Sequence, residues 1–76
     1  MTIRDLVEQI NIQGNIVIRE IENGETPIDL VHIEETDMLW ITDKIEPYAD
    51  RPITFMYTVT QLKNMPTLII EIAEED

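Results

Sequence analysis

Apolar residues Ile3, Leu6, Val7 and Ile10 recur at i, i+3, i+4 and i+7, which predicts one amphipathic helix at the start of the chain. Thr2 stands where an N-cap belongs, and Asp5, three residues on, suits the positive end of the helix dipole. So short a helix must be held by packing against a sheet. Gly14 ends this element or opens the next.

Beyond Gly14 the apolar spacing changes. Residues 15–22 and 28–35 read as two strands around Asn23-Gly24, a strong short hairpin signal. Pro27 has no N–H and can lengthen that loop. Parity then assigns Val17, Arg19, Ile21, Ile28, Leu30 and His32 to one face, and Ile16, Ile18, Glu20, Asp29, Val31 and Ile33 to the other. Both faces are apolar away from the turn, so each needs a cover.

Glu34-Glu35-Thr36-Asp37 breaks the pattern. Met38, Leu39, Trp40, Ile41 and Ile45 supply the apolar content of residues 38–47, which predict a short helix or a helical turn capped near Thr42. Pro47 and Pro52 bracket a loop, Tyr48-Ala49-Asp50-Arg51. Next comes a clean period-2 strand, with Ile53, Phe55, Tyr57 and Val59 on the buried side and Thr54, Met56, Thr58 and Thr60 on the wetter one. Lys63-Asn64-Met65-Pro66 reads as a turn, and Leu68, Ile70 and Ile72 as the inner face of a last strand. Glu74-Glu75-Asp76 reads as a frayed acidic tail. The expected fold is a single small acidic α+β domain over residues 1–76. Its N-terminal helix packs on a four-stranded, mainly antiparallel sheet, in the order α-β-β-short α-β-β.

Composition adds a charge. The 76 residues hold 16 Asp and Glu against 5 Lys and Arg, a net −11. That density repels anions and attracts basic surfaces. It argues against direct nucleic-acid binding, which needs Lys and Arg to displace counterions, and against anionic lipid surfaces. The 43% apolar content and runs such as Ile16-Val17-Ile18 mark a folded rather than a disordered chain. The start of the chain does not read as a signal peptide, and no stretch approaches the ~20 apolar residues of a membrane span. With no Cys, there is no disulfide or thiolate chemistry, and a reducing cytoplasm is the compartment that fits.

Candidate chemistry is thin. His32 is the single histidine and reads as a structural or half-exposed strand residue. Ser is absent along with Cys, so Thr and Lys are the remaining nucleophiles. Paired carboxylates abound, but glycosidase-type work needs two flanking a cleft with one pKa raised, and so small a domain has little room for one. Glu34-Glu35-Thr36-Asp37 lacks the alternating ligands and glycine of a calcium loop. No catalytic residue, metal site or cofactor is expected, and the chain does not read as an enzyme. Trp40 reads first as a core residue beneath the 38–47 segment, with an exposed interface anchor as the alternative, and Tyr48 carries the same ambiguity.

The acids remain. Glu20, Glu22, Glu25 and Asp29 gather around the hairpin tip, with Glu20 and Asp29 on one face. Glu34, Glu35, Asp37, Asp43, Glu46 and Asp50 occupy the middle of the chain. Their ordinary reading is a solvated surface. The functional one is a surface of carboxylates that imitates phosphates.

The segments Met1-Thr2-Ile3-Arg4-Asp5-Leu6, Ile12-Gln13-Gly14, Val17-Ile18-Arg19 and Tyr48-Ala49-Asp50-Arg51-Pro52-Ile53-Thr54-Phe55-Met56-Tyr57 resemble short uncharacterised proteins of phages and mobile elements in Firmicutes. In size, acidity and α+β layout the chain is also similar to type II anti-CRISPR proteins. Those include nucleic-acid mimics that occupy the basic PAM-reading or guide-loading surface of Cas9. No motif carries over residue by residue, because that group shares a charge strategy rather than a sequence. The resemblance implies an inhibitor that binds a basic surface of a host nuclease or DNA-binding protein. Glu20, Glu22, Glu25, Asp29, Glu34, Glu35, Asp37 and Asp43 are the expected partner-binding residues, and Trp40 and Tyr48 the candidate anchors. The alternative is a homodimeric assembly module with a merely solvating acidic surface, since the hairpin's two apolar faces share one helix.

Overall fold

The polypeptide was described with a computed structural model covering residues 1–21, 27–60 and 66–73. Helix α1 spans Ile3–Gln9 and starts in a capping box. The Asp5 N–H donates to Thr2 Oγ1 (3.2 Å), and the Thr2 N–H donates to Asp5 Oδ2 (3.1 Å), so two N–H groups at the helix start are satisfied. Ile3 and Leu6 are buried and Val7 packs beside them. Ile10 lies beyond the last turn as the C-cap and is exposed, so the apolar stripe ends one position earlier than its spacing suggests.

Four strands follow: β1 Gly14–Ile21, β2 Ile28–Thr36, β3 Ile53–Thr60 and β4 Pro66–Ala73. They form one sheet in the order β2-β1-β4-β3. The β1–β2 and β3–β4 pairings are antiparallel, but the central β1–β4 pairing is parallel. The sheet is thus mixed. A chain that must pass from β2 over the sheet before laying down β3 and β4 leaves β4 beside β1, and two consecutive hairpins joined this way run their inner strands in the same direction.

Most of the core lies on one face, while Val17 and Ile69 are buried on the other. Ile16 and Ile18 of β1, Val31 of β2 and Ile70 and Ile72 of β4 pack against Ile3 and Leu6 of α1 and against Leu39, Ile45 and Ala49 of the crossing segment. That segment forms a helical turn only at its end, where the Thr42 carbonyl accepts from the Ile45 and Glu46 N–H groups, followed by a 3₁₀ turn Glu46–Tyr48. Pro47 lies inside this turn rather than at a loop boundary, as suits a residue with no N–H to offer. Tyr48 packs against the core cluster from a half-buried position, and Ala49 is fully buried. Leu39 N–H donates to the Ile12 carbonyl (2.8 Å) and Arg4 N–H to the Ala49 carbonyl (3.0 Å), which bind the segment at both ends.

Three bulges redistribute side chains. Ile18 pairs with Val31 but Arg19 pairs with Asp29, so Leu30 is an extra residue and packs against the core cluster. Parity beyond it is reversed: Asp29 faces Arg19, not Glu20, and Ile28 faces Glu20. The expected sharing of one face by Glu20 and Asp29 is therefore wrong. Nearer the other end of β2, two β1 steps from Gly14 to Ile16 match three β2 steps from Thr36 to Ile33. There Glu35 takes φ 50°, and its N–H donates to Asn15 Oδ1 (2.8 Å). On β3, Ile53 pairs with Ile72 and Phe55 with Glu71, so Ile53 belongs to the core face and Phe55, Tyr57 and Val59 to the opposite one. The face expected to be buried is thus the one away from the helix and the crossing segment, and Phe55 there is 65% exposed. The loops around Asn23-Gly24 and Lys63-Asn64-Met65, and the acidic tail, lie outside the described residues.

Candidate functional site: an acidic groove beside β2

The acids divide by whether an arginine already holds them. Arg4 on α1 grips Asp50 with two hydrogen bonds (Nε–Oδ1 2.8 Å, Nη2–Oδ2 3.2 Å) and Glu46 with a third (2.9 Å). The arginine holds the Asp50 carboxyl below its ordinary pKa, chiefly through the hydrogen bond. Arg19 Nε lies 2.7 Å from Asp29 Oδ1, and that bond lowers the Asp29 pKa against a partial loss of hydration. Arg51 Nη2 lies 2.5 Å from Glu20 Oε2 and also donates to the Ala73 carbonyl, with both side chains of the pair nearly out of solvent (12% and 14% exposed). Two of the expected partner-binding acids, Glu20 and Asp29, are thus committed to arginines inside the fold. Glu22 and Glu25 lie outside the described residues.

The other four are free of such partners. Glu34, Glu35, Asp37 and Asp43 are exposed and make no ion pair among the described residues. They gather where β2 meets residues 38–44. A groove of about 570 Å³ opens there. Residues 31–34 line it consecutively, and neighbours on a strand point to opposite faces, so the groove follows the outer edge of β2. Glu34 and Asp43 line it, while Glu35 and Asp37 flank the lining residue Thr36.

Across from β2 the chain runs extended, and its side chains alternate: Leu39 is buried and Ile41 half-buried, while Met38 and Trp40 are exposed. Trp40 is 60% exposed, so it is not the core residue it first reads as. The reason is local: where side chains alternate along the segment, only every second member of the apolar run can face the core. The sequence holds no such alternation, since all four residues of the run are apolar, so its spacing did not single out Trp40 and Met38. Glu35 adds a strained position, since φ near +50° is uncommon for a residue with a Cβ.

The face opposite the helix carries a second polar array. His32 Nε2 lies 3.5 Å from Asp29 Oδ2, Asp29 bonds Arg19, Arg19 Nη1 donates to Tyr57 Oη (3.2 Å), and the Tyr57 hydroxyl donates to the buried Glu71 carboxylate. One chain of contacts therefore crosses all four strands. Nothing in the sequence spacing links these residues, because the partners come from different strands. Among the described residues no group of three or more His, Asp or Glu is placed to hold a metal ion, and no helix is long and apolar enough to cross a membrane. No protein-family model, no curated protein and no solved structure matches the chain.

Proposed function

We propose that this protein acts by binding: its groove beside β2 docks a basic protein surface of the kind that otherwise grips nucleic-acid phosphates, and so keeps nucleic acid away. The observation that carries this reading is the gathering of four carboxylates, with no ion pair among the described residues, and the exposed indole of Trp40 around one open groove. Carboxylates accept the same charge-assisted hydrogen bonds from Lys and Arg that phosphates do. An indole at the centre of such a patch supplies the apolar anchor that charge alone lacks. The 38–44 wall is fixed by buried Leu39 and Ile45, so the groove is preformed. The similarity in size, acidity and α+β layout to type II anti-CRISPR proteins makes a host Cas9-type nuclease the first target to try.

The test is a binding assay of the purified protein against such a nuclease, with and without duplex DNA. The expected result is a complex that DNA displaces and that weakens steeply between about 50 and about 200 mM salt. Reversal of three acids together (E34K, E35K, D37K) should abolish it while the protein stays folded. Binding that survives the triple reversal, or that proceeds alongside DNA, refutes the reading.

A further inference from the structure

The two edges of the sheet are built oppositely. β2 carries Asp29, Glu34 and Glu35, and two bulges interrupt its pairing with β1. Charges and bulges are the devices that keep a free edge from pairing with another strand. β3 has none of these along Phe55–Thr60: the strand Ile53–Thr60 holds no charged residue and no proline, and its single irregularity lies before Phe55. It also exposes an apolar side chain on each side. Phe55, Met56 (46% exposed) and Tyr57 are consecutive, point alternately to the two faces and are all exposed. An uncharged, unblunted, apolar edge invites strand pairing.

We propose that β3 pairs antiparallel with β3 of a second copy, about a two-fold axis, to join two sheets into one of eight strands. This rests on the edge strand and not on the groove reading. A second copy is the occupant that the charge distribution selects. Two molecules of net −11 repel over most of their surface, and β3 is the edge at which they can meet with no charge on either strand. The acid-bearing β2 lies three strand spacings away, roughly 14 Å, beyond the ~8 Å screening length at physiological salt. A basic partner gains nothing at an uncharged strand, whereas an identical strand offers the same β-branched and aromatic residues in return. The two-fold arrangement closes on itself and leaves no further β3 edge, so the pairing stops at a dimer.

The salt dependence separates this contact from the groove. Docking of a basic partner weakens as salt rises, whereas self-pairing strengthens, because screening removes the repulsion between two acidic copies. Sedimentation of the full chain over a range of concentrations, at about 10 mM and about 500 mM salt, reads this directly. The expected result is a monomer–dimer equilibrium that shifts to dimer at high salt. F55E with T58E, at two exposed positions on opposite faces of β3, should weaken it by about tenfold or more, and E34K on β2 should not weaken it. A monomer at every concentration and salt, a dimer indifferent to F55E/T58E, a dimer lost with E34K, or open-ended assembly each overturns the proposal. Should the double variant fail to fold, amide exchange of the unaltered protein decides: protection across Phe55–Thr60 rises with concentration if β3 pairs, and concentration-independent exchange refutes it.

Discussion

Arg19 and Asp29 face one another across β1 and β2, 2.7 Å apart, only because Leu30 bulges out of the ladder between them. The bulge moves Asp29 to the opposite face from Glu20. Each acid thereby gets its own arginine, one on either side of the sheet.

The depressed pKa of Asp29 gives this pair a pH signature. A carboxyl whose folded pKa lies below its unfolded value contributes stability that is present above the unfolded value, near 3.8, and lost as pH falls through the folded one. Asp29→Asn should lower stability by roughly 0.5–1 kcal/mol at neutral pH, a figure kept small because the carboxylate is partly solvated. The difference from the unaltered protein should shrink below the carboxylate range, as urea unfolding at neutral and strongly acidic pH would show.

Glu20→Lys sets two effects against each other. On charge alone it relieves a net −11 and should stabilise. Yet it places a cation against Arg51, whose guanidinium is almost out of solvent and has an Nε with no hydrogen-bond partner among the described residues. Removing one partner of a desolvated pair costs more than diffuse repulsion returns, so a net loss of about 2–3 kcal/mol is expected. Thermal unfolding measures it, and a gain in stability would show that the pair is solvated.

The Tyr57 hydroxyl donates to Glu71, and that bond raises its pKa above the usual 10.0. The protonated phenol therefore belongs to the folded state. Its contribution is complete below the unfolded pKa and is lost as pH rises through the higher folded value. Tyr57→Phe should be less stable than the unaltered protein at neutral pH, and that deficit should narrow above about pH 10. Chemical unfolding across that range would show the two curves converging, and parallel curves would rule the linkage out.

Trp40 and Ile18 make opposite predictions from similarly apolar side chains. Ile18 is wholly buried in the central part of the sheet, so Ile18→Ala should cost about 2–5 kcal/mol. Trp40 stands out of the surface, so Trp40→Ala should change stability by no more than roughly 0.5 kcal/mol while removing at least about 2 kcal/mol of partner binding. Paired melting and titration curves for both variants check this. A large stability loss on removing the indole would return Trp40 to the core.

Local pattern carried much of this fold. The stripe Ile3, Leu6, Val7, the Thr2 cap with Asp5, and the alternation of Leu68, Ile70 and Ile72 each depend on residues a few positions apart, and each appears where the spacing puts it. Spacing says nothing, however, about which strands become neighbours. The parallel β1–β4 pairing joins residues about fifty positions apart, and it makes the sheet mixed and β2 and β3 its edges. The acids of the groove were visible as acids, but their freedom was not. Whether a carboxylate is held depends on where an arginine arrives from, and Arg4, Arg19 and Arg51 each reach across strands or segments that the sequence does not place side by side.

By itself, then, the sequence determined the net charge, the absence of thiol chemistry, the helix and the strands, because composition and short-range periodicity are properties of the chain alone. Tertiary structure alone decided which face of the sheet is covered, where Leu30 and Thr54 shift the register, and that Trp40 is exposed. The physical reason is the same each time. The one helix and the crossing segment pack on a single face, and the face they take is set by long-range packing, not by the pattern of any one strand.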